Sequence, residues 1–332
     1  MRDKTSEKFS LISKKTWSNL WSNYNFVFLF VAMFTIFLVI NREAMNWTVF
    51  SNILRHSSVI GIVALGMGLI ILTGNIDLSL GSMIALVGGM SVLVFNSTQS
   101  MIITFIFGIV GGALCGLFNG IMVAVIKMPS FIATLATMLL FRSISSYIMA
   151  GRLGIAMFRL ERNVAFEAYF YIGNRSFLNI PILFWIFLGV TILMVFLSTS
   201  TKFGKSVYAV GSNEKASMLA GVNVTWVRVL VYIVAGALTG LAAVLLSGQM
   251  GGILAGTAAL NFELYAIAAV VIGGIAMSGG KGKMVGIIFG VITFTVVDNI
   301  IMVAALNPLL NNAFNGIIVL AAVLVQQLQR QK

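Results

Sequence analysis

Long runs of apolar residues are the feature that most constrains what this chain can fold into. Ten such segments follow one another along the 332 residues, at approximately 24–40, 59–73, 83–95, 101–126, 131–150, 181–198, 229–247, 263–277, 284–303 and 313–326. A helix that crosses a bilayer uses about 20 mostly apolar residues. Lipid admits only helices and closed barrels, and these runs are too long for the roughly ten-residue segments of a barrel. The sequence therefore predicts an all-α fold, a polytopic membrane helical bundle of about ten transmembrane helices.

Composition excludes a soluble domain and a nucleic-acid-binding protein. Hydrophobic residues make up 59% of the chain and charged residues only 9%, whereas soluble domains carry about 25% charged residues. The net charge of +12 is distributed over the ends of the apolar segments, and nucleic-acid binding needs a clustered basic face. We therefore expect the lipid bilayer, and no nucleic acid, as the surrounding partner.

The distribution of Lys and Arg predicts the topology. If the N-terminal tail, residues 1–25, is cytoplasmic, fourteen of the 21 basic residues fall inside, six fall outside and Arg142 lies within a span. Cytoplasmic loops carry such an excess of positive charge. Residues 26–332 then form one transmembrane domain with two long hydrophilic connections, an external loop at 151–180 and a cytoplasmic loop at 199–228.

Glycines spaced four residues apart predict close helix packing. Lipid supplies no hydrophobic force between helices, so small residues hold a bundle together by letting backbones approach. The spaced glycines are Gly112, Gly116 and Gly120, the pair Gly236 and Gly240, and the pair Gly286 and Gly290.

Two weak internal matches indicate an inverted internal repeat. Asn119 begins a segment that resembles the one at Asn299, and the stretch 77–89 resembles 263–274. The two halves would lie five spans apart and so face opposite ways, as the repeats of many transporters do.

The segment GNIDLSLGS places a carboxylate among polar residues between two apolar runs. Asp77 lies there with Asn75, Ser79 and Ser82. A carboxylate near the bilayer interior is costly and commonly functional, but Asp is also favoured as a cap for the next helix. Both interpretations stay open. The candidate residues of a translocation pathway are Asn75, Asp77, Ser79, Ser82, Asn119 and Asn299.

Capping residues predict a short helix inside the 199–228 loop. Asn213 is a good N-cap, Glu214 suits the positive end of a helix dipole, and Gly221 is a typical helix-ending residue. The helix would run over residues 215–220. The alternative is a solvated loop with an incidental turn.

Catalytic and metal-binding patterns are not found in the sequence. His56 and Cys115 are the only residues of their kinds, so His clusters, disulfides and two-thiol chemistry are excluded. The stretch GGKGK at 279–283 lacks the spacing of a phosphate-binding loop. We expect no catalytic residue, no metal and no cofactor, and we do not expect the chain to be an enzyme.

Three motifs together resemble the ribose-type permeases of bacterial ABC importers, which carry ribose, xylose, arabinose, galactosides and related sugars. They are GNIDLSLGS, FGKSVYAVGSNEKASMLAGVNV and ELYAIAAVVIGGIAMSGGKGKMVG, in this order. The resemblance implies a sugar permease in the bacterial plasma membrane that works as two copies or with a related chain. It also implies a cytoplasmic ABC ATPase on another chain and an external sugar-binding protein. The short helix would then be the coupling helix that meets the ATPase, through Ser212, Asn213, Glu214, Lys215, Ala216, Leu219 and Gly221.

Three other functions compete with a sugar permease. An ABC permease for nucleosides is the nearest alternative, because related permeases carry nucleosides. An ion-coupled secondary transporter would need a membrane-buried ion site, for which Asp77 and Asp298 are the candidates. An intramembrane enzyme ranks lower, since no paired catalytic residues are found.

Overall fold

The computed structural model describes residues 27–39, 46–153, 157–162, 165–303 and five single positions between 313 and 324. The predicted cytoplasmic tail, residues 1–25, lies outside this part. The helices are α1 (Val27–Val39), α2 (Trp47–Leu72), α3 (Leu80–Thr98), α4 (Met101–Gly120), α5 (Ser130–Leu153), α6 (Phe166–Asn174), α7 (Ile182–Ser200), α8 (Lys202–Ser212), α9 (Glu214–Leu219), α10 (Val224–Met250), α11 (Phe262–Ile272) and α12 (Gly286–Val303). A π-helical turn, Ile121–Val125, continues α4.

Polar caps decide where several of the long helices begin. The side chains of Asn46, Ser100 and Asn223 each accept a hydrogen bond from the backbone N–H three residues later, at the start of α2, α4 and α10. Such caps satisfy donors that the first helical turn leaves unpaired. Helix α2 therefore begins at Trp47, well before the apolar segment predicted at 59–73, because the cap starts a helix whose first turns contain polar residues.

Six helices among the described residues are long and apolar enough to cross a bilayer, and they make the chain a multi-pass membrane protein. They are α2, α3, α4 with its π turn, α5, α7 and α10. Three further predicted segments coincide with the shorter apolar helices α1, α11 and α12. Most of the tenth segment, 313–326, lies outside the described residues. The all-α bundle is confirmed, and the count of about ten spans stays a prediction.

The predicted external loop forms a small folded cap. Strand β1 (Met157–Arg159) pairs antiparallel with β4 (Gly252–Leu254), and β2 (Ser176–Phe177) pairs with β3 (Ile180–Pro181). Helix α6 lies between them and packs on α10, where the Tyr169 hydroxyl donates to the Val244 carbonyl oxygen at 2.7 Å. We call this the β1 end of the bundle. The opposite end, where α8 and α9 lie, is the α9 end.

Helix α2 is the centre of the bundle. Its most apolar 18-residue window is 89% buried, against 22% for α4 and 28% for α5 and α7. A helix that is apolar on all sides is either buried or in contact with lipid. The core therefore surrounds α2, and the exposed apolar faces of α4, α5 and α7 are suited to lipid or to a second copy.

The predicted glycine face of α4 packs directly on α10. A Cβ atom built on Gly112 would overlap the carbonyl oxygen of Gly236, and one built on Gly116 would overlap that of Tyr232. A Cβ on Gly240 would likewise overlap the Gly108 carbonyl oxygen. The two backbones touch without intervening side chains, as small-residue helix pairs in membranes do. The same holds for α12 against α11, through Gly286 and Gly290, so the predicted packing role of these glycines is confirmed.

The helix contacts are reciprocal between the two halves of the chain. Helix α10 packs on α2, α3 and α4, and α2 packs on α10, α11 and α12. The pairs α3 with α4 and α11 with α12 also match. Two inverted copies with α2 equivalent to α10 would produce this pattern. The pattern supports the internal repeat, which stays a prediction.

Enlarging a glycine between α4 and α10 should destabilise the bundle. Gly112→Leu places a side chain where the Gly236 carbonyl lies, and overpacking of this kind costs roughly 1–3 kcal/mol or more. We expect a lower melting temperature in detergent and a lower yield of folded protein. Gly189→Leu on α7 is the control, because a Cβ there meets nothing within 4 Å. Equal melting temperatures for the two variants would contradict the packing.

Candidate functional site

The short helix predicted in the 199–228 loop is present as α9. Its cap is the Asn213 side chain, whose Oδ1 accepts from the Ala216 N–H at 3.0 Å. The helix covers Glu214–Leu219 and ends at Gly221, which has a φ of +81°. The Gly221 N–H donates to the Met218 carbonyl and the next N–H donates to that of Ser217, so the last turn is closed by a Schellman motif. The helix is shifted by one residue from the predicted span of 215–220.

Glu214 joins α9 to α10 through an ion pair that sequence reasoning missed. Arg228 donates to both carboxylate oxygens of Glu214, from Nη1 at 3.0 Å and from Nη2 at 2.6 Å. A bidentate arginine–carboxylate pair fixes the angle between its two helices as well as their distance. Glu214 was expected to favour the helix dipole and to meet the ATPase, not to pair with an arginine of α10. The fourteen-residue separation from Arg228 gave no local signal of the pair.

The outer surface of α9 is apolar at its tip. Leu219 is 91% exposed and Met218 is 52% exposed, and Lys215 and Ala216 are also exposed. Ser212 and Asn213, just before the helix, are exposed as well. Two adjacent large apolar side chains at the tip of a rigid, capped turn have no packing role within the described part of the chain. They are suited to contact with another protein.

Helix α8 connects α9 to the end of α2 and to the loop that follows α11. The contact is one between backbones, which we call the glycine junction, and it is formed by Leu72, Gly211 and Gly280. A Cβ on Gly211 would overlap the Leu72 carbonyl oxygen and lie 2.6 Å from the Gly280 nitrogen. The Gly280 N–H donates to that same carbonyl at 2.9 Å. The Tyr208 hydroxyl donates to the Gly282 carbonyl at 3.0 Å, and burial raises the pKa of this phenol, so it stays a donor at neutral pH.

Helix α2, which ends at this junction, and α11, whose following loop reaches it, end in the same way. Each stops at a glycine in the left-handed region, Gly74 with φ +78° and Gly274 with φ +84°. At both, the glycine N–H donates to the carbonyl three residues back, and the next N–H donates to the carbonyl five residues back. This is the Schellman arrangement, which closes a helix end without water.

Three of the predicted pathway residues form a buried hydrogen-bonded cluster beside the end of α2. Asp77 is 1% exposed. Its Oδ1 accepts from the Ser79 N–H at 2.8 Å and from the Ser79 hydroxyl at 2.7 Å. Its Oδ2 accepts from Asn119 Nδ2 at 3.0 Å, and the same amide donates to the Ser79 hydroxyl oxygen at 2.8 Å. The cluster therefore joins the start of α3 to the end of α4.

Of the remaining predicted pathway residues, Ser82 adjoins this cluster, whereas the side chains of Asn75 and Asn299 bond elsewhere. Ser82 is buried one turn into α3, and its hydroxyl donates to the Ser79 carbonyl at 2.7 Å. Asn75 donates to Thr73, and Asn299 donates to the Thr295 carbonyl within α12. A polar residue near an apolar run gives no information about the direction of its side chain, which is why the sequence grouped them together.

Two residues that sequence reasoning missed also hold the segment between α2 and α3. The Tyr232 hydroxyl of α10 donates to the Ile76 carbonyl at 3.2 Å. The Ile76 N–H donates to the Ser130 hydroxyl oxygen, at the start of α5, at 3.4 Å. Side chains from α4, α5 and α10 thus fix one seven-residue break, residues 73–79, through the polar groups that its irregular backbone exposes.

Comparison with known proteins defines the class to which this fold and these motifs belong. A family profile described as "Branched-chain amino acid transport system / permease component" matches residues 49–323. The chain belongs to this family of membrane permease components.

Individual relatives make the similarity more specific. The ribose import permease protein of Bacillus subtilis is 35% identical over 277 residues, which are 83% of this chain and 84% of that protein. The ribose import permease protein of Haemophilus influenzae is 32% identical over 294 residues, 89% of this chain and 90% of that protein. The galactose/methyl galactoside import permease protein of the same organism is 31% identical over 322 residues, 91% and 94% of the two chains. The resemblance to ribose-type permeases is confirmed. No solved structure matches the chain.

Removing the Asp77 carboxylate should destabilise the fold itself. Asp77→Ala leaves the Asn119 amide and the Ser79 N–H buried without their acceptor, at a cost of roughly 1–3 kcal/mol for each unsatisfied group. We expect a lower melting temperature of the purified protein in detergent, with uptake lost in proportion to folded protein. This expectation follows from the 1% exposure of Asp77 and from its hydrogen bond to a second helix.

The exchange Asp77→Asn with Asn119→Asp is the matched control. It keeps one carboxylate and one amide in the same place, so we expect it to recover much of the stability that Asp77→Ala loses. If Asp77→Ala melts like the wild type yet abolishes uptake, the residue contacts the transported solute and the structural interpretation is wrong.

Proposed function

We propose that the chain is the permease subunit of a bacterial ATP-binding-cassette importer that translocates a small sugar delivered by an external binding protein. ATP hydrolysis would take place on a separate cytoplasmic subunit, and the chain would lie in the plasma membrane as one of two permease subunits. The observation that carries this proposal is α9, a capped helix with an exposed apolar tip. An ion pair connects α9 to α10, and the glycine junction connects it through α8 to the end of α2 and to the loop that follows α11.

Charge supports a cytoplasmic position for the α9 end. Basic residues at that end are Lys127, Lys202, Lys205, Lys215, Arg228, Lys281 and Lys283, whereas the β1 end carries Arg55, Arg159, Arg162 and Arg175. Retention of positive charge in cytoplasmic loops orients membrane proteins in this sense. The folded cap at the β1 end, with α6 and its strands, would then be the surface that receives the sugar-binding protein.

The contacts of α9 explain how it would transmit motion. An ATPase that holds the exposed tip, Met218 and Leu219, would move α9 as it closes on nucleotide. The Glu214–Arg228 pair carries this displacement to α10. The glycine junction carries it through α8 to the end of α2 and to the loop that follows α11, because backbones that touch cannot slide past one another without a clash. Different contacts of the tip in the two nucleotide states would bias the permease between two conformations.

The relatives favour a sugar over the competing substrates. Those compared above are named as ribose or galactoside import permeases, and a neutral solute suits a bundle with few charged side chains. A nucleoside remains the alternative within the same class. An ion-coupled mechanism finds less support, because the Asp77 carboxylate already accepts three hydrogen bonds and is shielded from water.

Labelling of single cysteines tests the orientation on which this proposal depends. In a Cys115→Ser background, Leu178→Cys at the β1 end should react in intact cells with a membrane-impermeant thiol reagent, and Ala216→Cys should react only after the cells are opened. Leu178 is 72% exposed and Ala216 is also exposed, so the side of the membrane on which each cysteine lies is the only variable. Reaction of Ala216→Cys in intact cells would place α9 outside and refute the coupling role.

Variants of α9 and of the glycine junction should separate ATPase binding from transmission. Leu219→Asp puts a charge on the exposed tip and should prevent recovery of the complex with the ATPase subunit, while the permease still folds. Gly211→Val should leave the tip intact but displace α8 from Leu72, so we expect the complex to assemble and hydrolyse ATP without sugar uptake. Complex recovery, ATPase activity stimulated by the binding protein and uptake in vesicles are the measurements.

Gly189→Val is the control for the junction variant, because its site is open and it should behave as the wild type. Full assembly, stimulation and uptake by both Leu219→Asp and Gly211→Val would show that α9 is not the coupling element. Collapse of wild-type uptake by a protonophore at constant ATP would instead establish ion coupling.

A further inference from the structure

An irregular segment interrupts the bundle on the β1 side of α11. Residues 255–261 follow β4 and lead into α11, which has only 11 residues and spans roughly 16 Å, about half of a bilayer core. Ala259 and Asn261 have positive φ values of +52° and +65°, which cost of order 1–3 kcal/mol each in non-glycine residues and are often found at functional sites. Residues 256, 257 and 260 in this segment are exposed.

Arg142 of α5 holds this segment from the side. Its Nη1 donates to the Ala255 carbonyl at 3.0 Å and to the Ala258 carbonyl at 2.7 Å. Arg142 is the thirteenth residue of α5, about 18 Å from its first residue and so close to the middle of this 24-residue helix. In the described part of the chain, its Nε and Nη2 groups have no hydrogen-bond partner, so three of its five N–H donors remain available.

Glu263, in the first turn of α11, supplies the matching acceptor. It is 8% exposed, and its Oε2 has no hydrogen-bond partner among the described residues. This oxygen and the Ala259 carbonyl both lie against Gly81 in the first turn of α3, where a Cβ would collide with them. Arg142 and Glu263 thus lie at adjacent parts of the segment, Arg142 at the Ala258 carbonyl and Glu263 beside the Ala259 carbonyl, without an ion pair between them among the described residues. The backbone N–H groups of Glu263 and Gly81 lie close to this carboxylate, which can still accept a further hydrogen bond.

The exposed face of α5 around Arg142 carries both polar and apolar side chains, and Leu139 on this face is 63% exposed. Ser143 is exposed, Ser146 is partly exposed and Tyr147 is 79% exposed. At the depth of the bilayer core, exposed irregular backbone and polar side chains are stable only where they are buried in protein or line a water-filled space. An aqueous path between this face and the segment 255–261 would satisfy these exposed polar groups.

We propose that Arg142 and Glu263 form a hydroxyl-binding site for a neutral polyhydroxylated solute, halfway along the translocation pathway. The inference rests on the proposed import of a small sugar and gives that sugar a site. A sugar hydroxyl both donates and accepts, so neighbouring hydroxyls can accept from the free guanidinium N–H groups and donate to the carboxylate. The solute would reach Arg142 from the exposed face of α5. It would reach Glu263 once the segment 255–261 has moved.

The test combines each variant with removal of one hydroxyl from the sugar. The complete importer is assembled in vesicles with its ATPase and binding protein. Uptake is measured, at saturating sugar-loaded binding protein, for ribose, galactose or arabinose, whichever is fastest, and for its monodeoxy analogues.

If Arg142 binds a hydroxyl, the wild type should lose roughly tenfold or more in rate for one analogue. Arg142→Gln should transport that analogue and the parent sugar at similar rates, and Arg142→Lys should recover part of the preference. Glu263→Gln should reduce discrimination at a different hydroxyl.

Arg55→Gln is the matched control, because Arg55 also donates from a partly buried guanidinium to a distant backbone carbonyl, that of Asn174. A structural role for Arg142 predicts that Arg142→Gln, like Arg55→Gln, lowers every uptake rate by one common factor, and that result would overturn the inference. Failure of the wild type to take up any sugar would refute the proposed function instead, so the two failures are distinguishable.

A second measurement asks whether water reaches this face. In the Cys115→Ser background, Ser143→Cys in the assembled importer should react with a small charged thiol reagent, and transported sugar should slow the reaction. Ile192→Cys on α7 is 71% exposed at an apolar surface and should stay unreacted. Reaction of Ser143→Cys in the separate permease but not in the importer would mean that the second copy covers this face, which would overturn the inference.

Discussion

Backbone polar groups inside a bilayer have no water to bind, so every place where a helix stops must satisfy its own N–H and carbonyl groups. This bundle stops two of its apolar helices at the same end, at Gly74 and Gly274, and closes both with the same pair of hydrogen bonds. The chain that follows α2 then depends on side chains from three other helices, Asn119, Ser130 and Tyr232. Because those contacts come from separate elements, the break is well defined only when the whole bundle has assembled.

The same constraint gives the α9 end its mechanical character. If long side chains separated these elements, the elements could move relative to one another. The glycine junction leaves no side chain between α8, α2 and the loop that follows α11. The bidentate pair of Glu214 with Arg228 restricts α9 in the same way. Motion imposed on α9 would thus reach α2, the most buried helix of the bundle. A flexible connection at either point would dissipate it.

Features set by neighbouring residues could be predicted from the sequence, whereas contacts between residues far apart in the sequence could not. The apolar segments, the glycine faces and α9 with its Asn213 cap follow from patterns in the local sequence. The glycine faces, α9 and nine of the ten apolar segments coincide with elements of the described structure, and the number of spans stays a prediction. The partners of Glu214 and Asp77 come from other elements, fourteen and 42 residues away. Asn299 was grouped with Asp77 as a candidate pathway residue, but Asn299 lies in α12, whereas Asp77 lies in the break before α3. Arg142 was placed only within a span, since only the fold shows the carbonyls that it meets.

The π-helical turn Ile121–Val125 lies between two of the residues that hold the break after α2. Asn119 precedes it and Ser130 follows it, and the two reach the segment 73–79 from separate helices. A π turn contains one more residue than an α turn, so it shifts the angular phase of everything that follows. Loss of a single residue from this turn would leave Asn119 in its position but change the direction in which the chain enters α5. Natural variation in the length of the chain here should therefore be far rarer than variation in the identity of its apolar residues.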